Sequence, residues 1–201
     1  MSVARTDASL NQQLRQQILR AAGRCFKRYG MSRTSMDDVA AAAGVSRQTV
    51  YNYVGNKTTL IAEIIVNEAQ RINEQAYRSL DLSLPSAELI AAAELAVVER
   101  AERSPYADIF TGATVVKFTA DAVAHSEHFA QVQRDYWHAV FAHVRDRGDL
   151  RADLDEDEAV NWLNSISFLL ATGPTTFEGD RETRRRYLLH YVVPAFLAGG
   201  A

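Results

Sequence analysis

Cysteine is nearly absent from this chain of 201 residues, and its scarcity excludes several kinds of protein. Cys25 stands alone, so neither a disulfide nor a cysteine-based metal site can form within one chain. It lies beside Phe26 on an apolar stripe, where we expect it to fill the core; redox sensing is the alternative. The sequence also lacks a nucleophile elbow, a phosphate-binding glycine loop and a dinucleotide fingerprint. We therefore expect that the protein is not an enzyme and that it binds no cofactor.

Long apolar runs are missing as well. The polar start from Met1 to Ser9 has no apolar segment of the kind that secretory signals carry. The segment from Ala159 to Phe177 is uncharged, but it is interrupted by Asn161, by Asn164 and by the Gly173-Pro174 pair, which makes it too polar for a membrane span. These features predict a cytoplasmic protein with no membrane partner.

Proline and glycine, which interrupt helices, number only four and ten. Hydrophobic residues make up 47% of the chain and charged residues 23%, as is usual for globular proteins. Apolar residues recur at helical spacing in most segments. The chain is therefore predicted to be all-α, with about nine or ten helices. We expect a small domain at 1–55 and a larger helical domain at 56–201, whose first helix, 56–80, links the two.

Charge is distributed unevenly along the chain. Residues 1–60 carry nine Lys or Arg and three acidic side chains, a net charge of +6. The remainder carries 13 basic and 22 acidic side chains, a net charge of −9. A basic head on an acidic body is expected of a protein that contacts DNA at one end.

The stretch from Thr34 to Leu60 has the pattern of two short helices joined by a tight turn. Ser35 can cap the first helix, Gly44 can end it in the left-handed conformation, and Ser46 can cap the second. In both helices apolar residues recur every three or four positions, so each helix buries one apolar stripe. The pattern predicts a helix-turn-helix unit, which makes the first domain a three-helix DNA-binding domain. The alternative is a pair of surface helices in an all-α protein.

The second of these helices presents polar side chains to the outside. Arg47 can bond to guanine O6 and N7, Gln48 to adenine N6 and N7, and Thr49 to a thymine methyl group or a phosphate. Tyrosine hydroxyls and the ammonium of Lys57 are suited to phosphates. Thr34 and Ser35 can donate to a phosphate or act as caps alone. The predicted DNA-binding residues are Thr34, Ser35, Ser46, Arg47, Gln48, Thr49, Tyr51, Asn52, Tyr53 and Lys57.

Several of these residues stand in a familiar pattern. From Ile18 to about Ile65 the sequence resembles the tetracycline-repressor (TetR) family, although Gln48 stands where many members have glycine and Val54 where an aromatic residue is common. The resemblance implies a ligand-responsive repressor that binds a pseudo-palindromic operator as a homodimer. The alternative is an effector-free DNA-binding dimer that is controlled by its abundance or by a protein partner. The residues that carry the pattern are Ala40, Gly44, Val45, Ser46, Tyr51, Tyr53 and Lys57.

The last two predicted helices, from Ala159 to Thr172 and from about Asp180 to Gly199, carry more apolar surface than one stripe. A dimer in which they form a four-helix bundle with their symmetry mates would bury the excess, and the resemblance implies this arrangement. A thick monomer core is the alternative. The predicted interface residues are Trp162, Ile166, Leu169, Tyr187, Tyr191, Val192 and Phe196.

Aromatic residues crowd the helices of the larger domain. Taken singly, each of these aromatic residues is best explained as part of the hydrophobic core. Together, with few charges among them and with what the resemblance implies, they predict a pocket for a small apolar or aromatic effector. The predicted lining residues are Tyr106, Phe110, Phe118, Phe129, Tyr136, Trp137, Phe141, Trp162 and Phe168.

Three further expectations concern the larger domain. Ser86 and Ser126 are predicted to cap the helices that follow them, and the pattern between Pro105 and His125 indicates two short helices. His125 and His128 have a helical spacing that would suit a metal ion, but no third ligand matches it, so no metal site is predicted.

Overall fold

In the computed structural model, residues 3–107, 126–172 and 180–199 are described, with the backbone alone for residues 3–9 and Thr172. These residues form eight α-helices and one turn of 3-10 helix, and the all-α prediction is confirmed. The predicted total was nine or ten helices, but the two short helices expected between Pro105 and His125 lie almost entirely outside the described residues. The helices are α1 Val3–Tyr29, α2 Met36–Ala43, α3 Arg47–Val54, α4 Lys57–Arg78, α5 Ser86–Glu102, α6 Glu127–Asp146, α7 Glu156–Thr172 and α8 Arg181–Tyr191, followed by the 3-10 helix Val193–Ala195.

The chain divides into two compact units, Met1–Asn67 and Glu68–Ala201. In the first unit, α1 packs against α2 and α3. Its core includes Ile18, Val50 and Leu60, which are fully buried. Cys25 is also buried, so the prediction that it fills the core is confirmed. Burial raises the pKa of its thiol.

The second unit is built around α5. Buried residues occur on nearly every turn and face of this helix, because it contacts α6, α7 and α8. Trp137, Phe141 and Phe196 form an aromatic chain in its core, with ring centroids 5.8 and 6.0 Å apart. The core therefore surrounds a central helix, as the all-α pattern predicts.

The ends of the helices confirm some predicted caps and correct others. Ser126 accepts a hydrogen bond from the backbone N–H of Phe129 at 3.2 Å, as predicted. Ser86 is wrong as a cap, since it is the first residue of α5 and its hydroxyl donates to Asp149 at 2.6 Å. The last helix was predicted to reach Gly199 but ends at Tyr191. Pro194 has no N–H to donate to the preceding turn, and its ring would clash with the carbonyl of His190.

Candidate nucleic-acid interface and ligand cavity

The turn between α2 and α3 is held by side chains at both of its ends. Ser35 and Asp38 form a capping box: the Asp38 N–H donates to Ser35 Oγ at 3.2 Å, and the Ser35 N–H donates to Asp38 Oδ2 at 2.8 Å. Hydrogen bonds from Ser35 lower the pKa of the Asp38 carboxyl. Gly44 ends α2 with φ 69° and ψ 31°, and Ser46 caps α3 by accepting from the Thr49 N–H at 3.1 Å. The predicted caps and turn are therefore confirmed.

Two side chains of α1, which sequence analysis missed, hold the end of α2. Gln17 Nε2 donates to the carbonyl of Ala43 at 2.7 Å, and Arg24 donates to the carbonyl of Ala42 at 3.2 Å. These carbonyls have no partner within a helix, so the bonds satisfy them from outside. No local pattern predicts such pairs, because the partners are 26 and 18 residues apart.

One side of α3 is buried and the other is exposed. Val50 and Val54 face the core of the unit, whereas Arg47, Gln48, Tyr51 and Asn52 are exposed. The face with the exposed polar side chains therefore lies opposite the one that packs on the rest of the unit. A helix of this kind can enter a major groove with its first turn toward base edges.

Arg47 is held in place by two neighbours. Its guanidinium donates to Asp37 Oδ2 at 3.0 Å and to the Tyr51 hydroxyl at 3.4 Å, and it lies 5.5 Å from the centroid of the Tyr51 ring. The hydrogen bond with Tyr51 and the charge of Asp37 both raise the pKa of Arg47. Because these groups are exposed, the ion pair stabilises the fold little and can be exchanged for a base or a phosphate.

Among the other predicted DNA-binding residues, some side chains are exposed and some are half-buried or buried. Gln48 Nε2 donates to Asn52 Oδ1 at 2.8 Å on the exposed face, so these two amides lie together. Thr49 is half-buried with its hydroxyl 2.8 Å from Ser46 Oγ. Thr34 is only 1% exposed and donates to the carbonyl of Gly30, so its hydroxyl has a structural partner.

Tyr53 and Lys57 make polar contacts at the edge of the first unit. The Tyr53 hydroxyl donates to Asn11 Oδ1 at 2.7 Å, and Lys57 Nζ donates to the carbonyl of Ser32 at 3.1 Å. Asn56 caps α4 by accepting from the Thr59 N–H at 3.0 Å. Tyr53 and Lys57 are both half-buried. Lys57 keeps donors for a phosphate, since one of its three N–H donors is used here, whereas the single O–H of Tyr53 would have to leave Asn11 to donate to a phosphate.

A cavity of about 240 Å³ lies among α4, α5, α6 and α7. Most of its wall is apolar, and the polar part comes from amide and hydroxyl side chains. Asn73 donates to Gln133 Oε1 at 2.7 Å, and Gln133 donates to Asn164 Oδ1 at 2.6 Å, so three amides form a chain along it. The lining includes Ile72, Val97, Phe129, Gln133, Ser167 and Phe168. A second hollow of about 420 Å³ lies between α4 and α6 and includes Tyr77, His128 and Tyr136 in its wall.

The predicted pocket residues are therefore divided. Phe129 and Phe168 line the smaller cavity, and Tyr136 lines the larger hollow. Trp137 and Phe141 pack in the core and line neither space, because their rings pack against each other and Phe141 packs against Phe196. Trp162 is half exposed and lines neither, and the half-buried Tyr106 also lies outside both walls. Phe110 and Phe118 lie outside the described residues.

Glu94 of α5 is a functional candidate that sequence analysis missed. Its side chain is fully buried, and Ser167 Oγ, from the cavity wall, donates to its Oε1 at 2.5 Å. Burial raises the pKa of the Glu94 carboxyl to about 8, against the opposing effect of the Ser167 hydrogen bond. The only signal in the sequence is a single acid within the apolar run Ala91 to Val98.

The predicted interface residues also separate into two groups. Trp162 and Tyr191 are 50% and 74% exposed, and Leu169 and Tyr187 are half-buried. The other three are at most 4% exposed and pack into the core of the unit, so they have no surface to offer a partner: Ile166, Val192 and Phe196.

Among the described residues, no three His, Cys, Asp or Glu side chains are grouped so as to hold a metal ion. None of the described helices has the length and apolar character that crossing a membrane requires.

Comparison with known proteins agrees with the helix-turn-helix geometry. Residues 18–64 match the profile of the family described as bacterial regulatory proteins, tetR family. The matched stretch, which contains α2 and α3, is similar to the TetR family. A segment of this chain is 34% identical over 82 residues to the uncharacterized HTH-type transcriptional regulator YhgD of Bacillus subtilis, covering 41% of this chain and 43% of that protein. The chain thus spans less than half the length of this relative.

Solved structures resemble nearly the whole chain. The TetR-family repressor AlkX from a Dietzia strain aligns over 90% of this chain and 94% of its own, with a TM-score of 0.65 and 19% identity. RolR in complex with its ligand resorcinol aligns over 90% and 88%, with a TM-score of 0.68 and 13% identity. At these identities the likeness supports a TetR-like fold.

Proposed function

We propose that this chain is a ligand-responsive transcriptional repressor of the TetR family. It binds a pseudo-palindromic DNA operator as a homodimer and is released by a small apolar or aromatic effector. The observation that carries the proposal is the exposed polar face of α3, which two helix caps and a left-handed glycine hold in a fixed orientation.

The charge distribution supports the DNA-binding part of the proposal. Residues 1–60 carry a net charge of +6, which attracts a polyanion, while the acidic remainder is repelled by it. Arg47 and Gln48 in the first turn of α3 read base edges, while Tyr51, Tyr53 and Lys57 contact phosphates. One helix of eight residues reaches few bases, so two copies that contact half-sites one helical turn apart supply the affinity.

The exposed aromatic residues of α7 and α8 support a homodimer. Trp162 and Tyr191 leave large apolar rings in contact with water, which is unfavourable in a monomer, and a symmetric interface would cover them. The interface that we propose is therefore formed by Trp162, Leu169, Tyr187 and Tyr191, without the three buried residues.

The cavity beside α5 is the proposed effector site. Its volume of about 240 Å³ suits a small ring compound, and two phenylalanine rings form part of its wall. An effector that binds one conformation of the dimer better than another shifts the population toward it. About 3 kcal/mol of differential affinity is enough for a hundredfold release of DNA.

Selection of DNA fragments with the purified protein tests the proposal. A library of small molecules is then added to the bound complex. Enrichment of a pseudo-palindrome that an apolar compound releases would support it. Enrichment that no compound reverses would favour an effector-free DNA-binding dimer, and the absence of any enriched sequence would contradict DNA reading by α3.

A further inference from the structure

Glu94 is a fully buried acid with an incomplete set of partners. Its side chain has no exposed surface. Ser167 Oγ donates to Oε1 at 2.5 Å, whereas Oε2 has no hydrogen-bond partner among the described residues. None of the ion pairs of the described residues includes this carboxyl. It therefore differs from Glu88 and Glu99 of the same helix, which pair with Arg185 and Arg181.

Such an arrangement is unfavourable in the isolated protein. Buried carboxyl groups are normally paired with a cation or fully hydrogen-bonded, since burial removes the water that would solvate them. If Glu94 is ionised, its charge lacks a counter-ion. If it is neutral, its O–H can donate only to Ser167 Oγ, and Oε2 still has no partner. Either form leaves a polar group whose missing partner has to come from outside the described chain.

The carboxyl lies directly behind the wall of the cavity. Ser167 lines the cavity and binds Glu94, and Val97 and Val98, one turn further along α5, line it too. Because the Ser167 hydroxyl uses its hydrogen toward Glu94, its lone pairs are available to a donor within the cavity. The described lining residues include no Lys, Arg or His, so no protein cation supplies the missing charge there.

We propose that the cavity binds an amphiphilic cation, whose apolar or aromatic body packs against Phe129 and Phe168 and whose protonated amine pairs with Ser167 and Glu94. On binding, Glu94 releases its proton to solvent. The ammonium donates to Ser167 Oγ, which donates in turn to the carboxylate, and the two opposite charges neutralise each other. Phenylalanine rings also attract a cation through their faces. This inference rests on the proposed effector role and names the chemical class of the effector.

Three probes with one common body test the inference. They are 4-phenylbutylamine, 4-phenylbutan-1-ol and 4-phenylbutyrate, which are a cation, a neutral molecule and an anion at pH 7. Calorimetry on the full-length protein is expected to show the amine binding at least tenfold more tightly than the alcohol, with the acid weakest of the three. Equal affinities, the opposite order or no binding of any probe would overturn the proposal.

Two matched variants test whether Glu94 causes the preference for the cation. Glu94→Gln keeps the size of the side chain and removes its charge, so the amine should lose its advantage over the alcohol while the alcohol still binds. Glu99→Gln removes a charge from the same helix away from the cavity and should retain the preference. Circular dichroism shows whether both variants fold, and the ranking of probes in the wild type stands without them. A preference that survives Glu94→Gln would overturn the assignment to this residue.

Release of operator DNA separates this inference from the proposed function. If the amine binds through Glu94 but leaves the DNA complex intact, the site is right and the effector role is wrong. If the alcohol or the acid releases DNA and the amine does not, the effector role stands and the cationic class is wrong.

Discussion

At the scale of single residues, the side chains of α3 differ in what they can recognise. Arg47 and Gln48 lie in the first turn, each with a hydrogen-bond partner that is itself exposed: Asp37 for the arginine and Asn52 for the glutamine. These bonds orient the two side chains and are weak enough to be exchanged for a base. Lys57, at the start of α4, is the proposed phosphate contact.

Substitution distinguishes the residues that we propose to read bases from the one that we propose to bind a phosphate. Arg47→Ala or Gln48→Ala should cost about 1–3 kcal/mol of operator affinity and relax specificity at one base pair, whereas Lys57→Ala should weaken binding to every sequence and reduce the salt slope by about one. Titrating each protein variant with operator variants and with random DNA at several salt concentrations measures the affinities and the salt slope. An equal loss on specific and random DNA for Gln48→Ala would refute its base-reading role.

Glu94 should make the stability of the protein depend on pH. Its pKa is raised from 4.5 to about 8 in the folded protein, so the folded state holds a proton that the unfolded state releases between these values. Stability is then unaffected below pH 4.5 and falls as pH rises toward 8, by up to about 1.4 kcal/mol per pH unit. Nearby, Tyr136 of α6 has its pKa raised by burial and then by the charge of Glu94, and its hydroxyl remains neutral over this range.

Urea unfolding at pH 5, 6, 7 and 8 checks this expectation. Glu94→Gln has no titrating group at position 94, so its free energy of unfolding should rise relative to that of the wild type as pH increases. Glu99→Gln should show the same pH dependence as the wild type. A constant difference between wild type and Glu94→Gln at all four values would show that the carboxyl does not hold its proton in the folded state.

At the scale of elements, the α2–α3 turn determines the direction in which α3 points. Gly44 occupies the left-handed region at φ 69°, and its N–H and that of Val45 satisfy carbonyls at the end of α2. A Cβ at Gly44 would meet no atom within 4 Å, so the constraint is the backbone conformation rather than space.

Gly44→Ala is therefore expected to destabilise the first unit by about 1–2 kcal/mol and to lower DNA affinity, because the strained turn no longer holds α3 in one orientation. Gly148→Ala is a matched control, since Gly148 has φ 76° and equal space but ends α6 in the second unit. Unfolding curves and operator titrations of both variants measure the effect. Equal loss of DNA affinity in the two would contradict the role of the turn.

At the scale of the whole molecule, the proposed homodimer depends on the exposed rings of α7 and α8. Trp162→Glu with Tyr191→Glu should give folded monomers that bind the operator weakly, because the charged side chains are tolerated in water and not in an apolar interface. Val192→Glu should instead unfold the protomer, since Val192 is buried in the core. Sedimentation together with circular dichroism separates the outcomes, and an intact dimer of the double variant would refute the interface.

Features that depend on residues within one helical turn were predicted well from the sequence. The Ser35 and Ser46 caps, the left-handed Gly44 and the buried valines of α3 were all expected, because capping and helical periodicity act over three or four positions. The Ser86 cap failed because Asp149, 63 residues away, competes for the same hydroxyl. The end of α8 was missed because the apolar pattern continues past the proline that stops the helix.

The sequence by itself determined the all-α class, the helix-turn-helix and the polar face of α3, since these follow from spacing and local hydrogen bonding. Only the tertiary structure decided which apolar residues are core and which are accessible: Phe129 and Phe168 line a cavity, while Trp137 and Val192 are enclosed. It also decided that Glu94 is buried behind Ser167, 73 residues away. Burial is determined by which helices pack together, and residues so far apart in the chain carry no periodic signal of their contact.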